Sequence, residues 1–119
     1  MSKIYISIPI SGHDLDEVNK KLARVKEDYL KGLYGDEWTQ HLGEAITPIE
    51  INENNLNAPY PTLMGKDIEA LLDNECEGIL LCSGWRESKG CRLEYHAACI
   101  YGKKILEERD NGKWIFINE

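Results

Sequence analysis

Apolar residues at Leu15, Val18, Leu22, Val25, Tyr29 and Leu33 recur at alternating threes and fours. That spacing puts them on one side of an amphipathic helix of about five turns. Asp14, Asp16 and Glu17 crowd its start, where carboxylates complement the helix dipole, and Gly32 and Gly35 bracket its end. The charged run Lys20, Lys21, Arg24 and Lys26 reads as its solvated face. Ahead of this helix, Lys3 to Ile8 is rich in β-branched and aromatic residues and predicts a strand, which Pro9-Ile-Ser-Gly-His13 breaks. Tyr34 to Glu44 is an irregular link. Ala45 to Ile51 then predicts a second strand, with Pro48 marking its edge or end. Asn52 to Pro61 is a loop, either a lid or dimer contact or a plain surface excursion.

Further along, Thr62 is placed to cap a second helix whose apolar stripe is Met64, Ile68, Leu71 and Leu72. Glu77 to Cys82 predicts a buried third strand, followed by a polar loop. A third helix starts near Ser88-Lys-Gly90, with Leu93, Ala97, Ile100 and Tyr101 as its expected core face. Gly102-Lys-Lys ends it, and Ile105-Leu106 begins a fourth strand. Arg109-Asp-Asn-Gly112 carries a strong turn signal, and Trp114 to Ile117 forms a fifth strand.

This alternation predicts an α/β fold in one domain spanning residues 1–119. The expected architecture is a flavodoxin-like or Rossmann-like three-layer sandwich. Its sheet is mostly parallel in the order 2-1-3-4-5, with the last strand a candidate for the antiparallel direction. In that order the loops after strands one and three share a crevice, the place where open α/β sheets bind ligands.

That placement turns attention to the residues of the two loops. Ser7, Pro9, Ser11 and Gly12 come from the first; small side chains there let backbone approach a ligand, although a plain turn reads equally from pattern. Gly84, Trp85, Ser88, Lys89 and Gly90 come from the second, where the free amides of a helix start suit an anion. Glu94 lies about one turn inside that helix, and Asp67 flanks Leu71 at the margin of the second helix's stripe. Both acids sit at a border between core and solvent, where burial would raise a carboxyl pKa as acid–base work requires. Solvated rim positions are the plainer reading of each.

Composition narrows the partners. A net charge of −7 argues against binding polymeric nucleic acid, which needs a basic surface. No apolar run approaches the length that spans a bilayer, so no membrane partner is expected, and a cytoplasmic setting is the default. The cysteines Cys76, Cys82, Cys91 and Cys99 contain no Cys-x-x-Cys pair, and His13, His41 and His96 show no ligand spacing. No metal and no cofactor are assigned.

Three stretches carry a family resemblance: Lys3-Ile-Tyr-Ile-Ser-Ile-Pro-Ile-Ser-Gly12, Met64-Gly-Lys-Asp-Ile-Glu-Ala-Leu-Leu72, and the loop from Ser83-Gly-Trp to Ser-Lys-Gly-Cys-Arg-Leu-Glu-Tyr95. Together they resemble the nucleoside 2-deoxyribosyltransferase superfamily, which includes the deoxynucleoside 5'-monophosphate N-glycosidases, and within it the DUF4406 branch. The resemblance implies a nucleophilic Glu94, an Asp67 that assists the leaving base, and a Tyr5 that orients the nucleophile or the sugar. It implies a 5'-phosphate contact for Ser88, a small residue at Gly90 to open the helix, a nucleoside or nucleotide as the small-molecule partner, and a homo-oligomer. Where relatives carry Gly-Pro, this chain has Ile8-Pro9, and an isoleucine there narrows the floor of the sugar site. Trp85, Arg86 and Lys89 add bulk and charge that favour a phosphorylated ligand.

The chemistry needs two acids. N-glycosidic cleavage passes through an oxocarbenium-like state stabilised by a carboxylate, while the departing base needs a proton. Glu94 would then be ionised and Asp67 at least partly protonated near neutrality, about 5–5.5 Å apart if Glu94 attacks directly. The expected activity is N-glycosidic cleavage or deoxyribosyl transfer. The alternative is a non-catalytic protein of the same fold that sequesters a nucleotide.

Overall fold

A computed structural model describes residues 3–10, 12–30, 44–51, 58–109 and 114–117. The expected ends of the first helix at Leu33, Gly32 and Gly35, most of the link and of the 52–61 loop, the Asn111-Gly112 turn and Ser11 lie outside these residues. The chain runs β1 (Lys3–Ser7), α1 (Leu15–Leu30), β2 (Glu44–Ile46), α2 (Pro48–Ile51), α3 (Tyr60–Leu72), β3 (Cys76–Leu81), a 3₁₀ turn (Trp85–Glu87), α4 (Lys89–Ile100), β4 (Lys104–Glu108) and β5 (Trp114–Phe116). The sheet order is β2-β1-β3-β4-β5. The first four strands are mutually parallel and β5 runs antiparallel to β4, as the α/β reading expected.

Strand alternation divides the interior into two cores, one on each face of the sheet. Ile4 and Ile6 of β1, Leu80 of β3 and Leu106 of β4 point to one side, where Val18, Leu22 and Val25 of α1 cover them. Tyr5, Ile79, Leu81 and Ile105 point to the other, against Leu71 of α3 and Cys91 and Ala98 of α4. Two helix layers thus enclose one sheet. No helix among the described residues is long and apolar enough to cross a membrane.

Three local expectations need correction. The second strand stops at Ile46, and Pro48 opens a short helix. Thr47 Oγ1 accepts the Glu50 amide at 3.2 Å, and proline's fixed φ and missing N–H suit the first helical position. The second helix begins at Tyr60, two residues before the expected Thr62 cap; Pro59 precedes it without any side-chain cap. The buried face of α4 is Cys91, Glu94 and Ala98, whereas Leu93, Ile100 and Tyr101 are 50%, 77% and 65% exposed. The helix lies over β3 and β4, and the face it turns inward carries a small thiol, a methyl group and an acid whose oxygens accept from Tyr5 and Ser7 of β1.

Candidate active site

A cavity of about 550 Å³ opens beyond the carboxyl ends of β1 and β3. Ile8, Pro9 and Ile10 form one side, and Pro48 and Ile49 of α2 close an end. Opposite them stand Gly84 and the Glu87–Cys91 stretch that starts α4. The two loops meet directly: Gly84 takes a φ of 87°, and a Cβ there would lie 3.6 Å from Pro9 Cγ.

Glu94 projects from α4 into this cavity and is almost wholly buried. The Tyr5 hydroxyl donates to its Oε2 at 2.7 Å, and the Ser7 hydroxyl donates to its Oε1 at 2.7 Å. Tyr5 and Ser7 share a face of β1 because they are two residues apart on a strand. They grip the carboxylate from beneath the cavity floor and are not part of its lining. Asp67, also buried, faces the same cavity from α3. The two acids expected at helix margins are therefore brought together.

Burial pushes the Glu94 carboxyl up to about 7; the two hydroxyls pull it down and the neighbouring Asp67 charge pushes it further up. Burial, then the Glu94 charge, holds the Tyr5 phenol well above its ordinary value, so it stays a donor at neutral pH. Tyr5→Phe keeps the ring and deletes one stabilising hydrogen bond. It is expected to raise Glu94 further, which NMR titration of the carboxyl carbon measures.

The remaining expected contacts divide. Pro9, Gly84, Ser88, Lys89 and Gly90 line the cavity, whereas Gly12 does not. Ser88 also caps α4: its Oγ accepts the Cys91 amide at 3.2 Å, which uses one of the amides that an anion would need. Trp85 is turned away and buried under the loop. Its indole N–H donates to Glu107 Oε2 at 2.7 Å, and Arg86 reaches the same oxygen at 3.1 Å while stacking over the indole. Arg109 pairs with the other oxygen at 3.1 Å. Neither Trp85 nor Arg86 thus supports a ligand phosphate. Asp67, Glu87 and Glu94 face the cavity against Lys89, a balance that suits an uncharged ligand better than a dianion.

Sequence reasoning missed Glu107 and Glu108, neighbours on β4 that both hold the loop after β3. Glu108 Oε1 accepts the Ser83 amide at 2.8 Å and pairs with Lys21 at 2.9 Å, contacts that lower its pKa against the effect of burial. Glu107 accepts from Trp85 on the opposite face of the sheet. The only signal in the sequence was an acid pair ending an apolar strand. Trp85→Ala would remove a buried ring and leave the Glu107 carboxylate short of a donor. A loss of about 3–5 kcal/mol is expected, read as a fall in urea midpoint.

Among the described residues no group of three or more His, Cys, Asp or Glu side chains is placed to hold a metal ion. A family model described as Domain of unknown function (DUF4406) matches residues 2–107, a span that includes Tyr5, Asp67 and Glu94. No curated protein and no solved structure matches the chain.

Proposed function

We propose that this chain, which belongs to the DUF4406 family, cleaves or transfers the N-glycosidic bond of a nucleoside or nucleotide through a Glu94 nucleophile. One observation carries the reading: a buried carboxylate at the cavity floor has both oxygens held by hydroxyls, with a second acid facing the same space. A carboxylate fixed in this way is aimed before the substrate arrives, so little reorganisation is needed during the reaction.

In the proposed sequence Glu94 attacks the anomeric carbon as the bond to the base nitrogen breaks. The base leaves with the bonding electrons, and Asp67 supplies its proton from the state in which the one proton shared by the two acids rests on Asp67 and Glu94 is ionised. Water, or a second base, then displaces Glu94 from the sugar and returns a proton to Asp67. The similarity of the three stretches to deoxyribosyltransferases supports this assignment. The reading also carries a homo-oligomer in a reducing cytoplasm; the described cysteines are free thiols, and exposed Leu93, Ile100 and Tyr101 offer apolar surface to a second copy.

A sequestering, non-catalytic protein is the second reading. Ile8 on the cavity wall and a carboxyl half-protonated near pH 7 favour it. Chromatography separates the two after incubation with a panel of deoxynucleosides and their 5'-monophosphates. Release of free base that Glu94→Ala abolishes supports the enzyme. Saturable thermal stabilisation without base release supports sequestration. Neither effect across the panel rejects both.

A further inference from the structure

The cavity-facing side of α3 is a single stripe, Tyr60, Leu63, Met64 and Asp67, at helical spacings of three, four and seven. It runs from an aromatic ring at the mouth, through two apolar side chains, to the acid at the floor. Tyr60 is 49% exposed, and its hydroxyl has the Met64 sulfur as its partner, 3.5 Å away and a weak acceptor. The ring tip crosses from α3 to the start of α4. A Cβ built on Gly90 would lie 3.0 Å from the Tyr60 hydroxyl oxygen and 3.5 Å from Met64 Sδ. A side chain at position 90 would press on the tyrosine tip and oblige it to give by a few tenths of an ångström. Burial, and then the nearby Glu94 and Asp67 charges, holds the phenol's pKa up.

A half-exposed aromatic ring backed by a thioether and a leucine has no evident role in the fold. It does have the chemistry that holds a flat heterocycle: one π face, soft polarisable neighbours and a hydroxyl at the edge. It lies on the same helix face as Asp67, about two turns away, so a heterocycle held there would extend along that face toward the acid. We propose that Tyr60 is the stacking platform for the nucleobase and the residue that sets base preference, with Gly90 fixing where its ring lies. The assignment rests on the nucleoside reading above and adds to it which wall takes the base.

The test is binding in the non-turning Glu94→Gln background, comparing 2'-deoxyadenosine and 2'-deoxycytidine with 1,2-dideoxyribose, the same sugar without a base. Saturation-transfer NMR reads the weak affinities. Tyr60→Ala is expected to weaken both nucleosides by about 10-fold or more while leaving the base-free sugar unchanged. Tyr60→Phe keeps the ring and should stay within about 3-fold of the parent. Gly90→Ala displaces the ring and should change the ratio between the two nucleosides. Nucleoside binding that is indifferent to Tyr60→Ala overturns this assignment and leaves the nucleoside reading standing. Equal weakening of sugar and nucleosides also overturns it, because that is a general loss of the cavity. Failure of the wild-type protein to bind any nucleoside or nucleoside 5'-monophosphate overturns both.

Discussion

Glu94→Gln is expected to lower base release by about 10³-fold or more while making the protein more stable above pH 7. The first effect follows from the loss of the attacking carboxylate, because an amide oxygen is a poor nucleophile. The second follows from proton linkage. In the folded chain Glu94 titrates near 7, whereas its ordinary value is 4.5. Between these values the folded state binds the proton and the unfolded state does not, so wild-type stability falls as pH rises and levels off above about 7. The difference is worth about 3 kcal/mol at most. Glutamine keeps the shape without the charge. The stability gap between variant and wild type should therefore open from about pH 4.5 upward and reach a plateau beyond 7, as urea titrations across pH would record. A gap independent of pH would mean that Glu94 is not desolvated as described.

Asp67→Asn should cost about 10²- to 10⁴-fold in the release of natural bases, the range for a lost general acid. The loss should shrink for a deoxyriboside whose leaving group departs without protonation, which separates proton donation from damage to the cavity. A second signature concerns Glu94. The Asp67 charge raises the Glu94 pKa, so the asparagine removes that push and the acid-side limb of kcat/KM moves below about 7. Tyr5→Phe moves the same limb the other way. Opposite displacements by two neighbours of one carboxyl are hard to obtain unless that carboxyl is the group whose ionisation limits the rate.

Much of the scaffold could be read from periodicity. The Val18, Leu22 and Val25 stripe and the apolar residues of β1, β3 and β4 are buried as their spacing indicates, whereas Leu15 at the start of α1 and Ile115 and Phe116 of β5 are exposed. Where the reading failed, the deciding contact was distant in sequence or its local signal was overruled. Thr47-Pro-Ile-Glu50 carries a helix-capping pattern, but Ile46, Ile49 and Ile51 favour a strand reading. The face of α4 was misjudged because an acid is ordinarily turned outward. Glu94 turns inward because two hydroxyls, 89 and 87 residues away, meet it there. Trp85 looked like a ligand contact for a similar reason: the carboxylate that draws its indole under the loop lies 22 residues further on, on another strand. Pairing Glu94 with Asp67 could be anticipated only through the family resemblance, since no local pattern links one helix to another.

Glu107 and Glu108 clamp the same loop from above and below the sheet, since successive side chains on a strand point to opposite faces. The wall that carries Ser88, Lys89 and Gly90 is therefore riveted to the sheet and yields little to a guest. Any accommodation of larger or smaller guests falls to the opposite wall, where α3 begins without a side-chain cap and with a half-exposed Tyr60. Such a vice has one fixed jaw and one that gives, so change in what the cavity accepts would arise most cheaply on the α3 side.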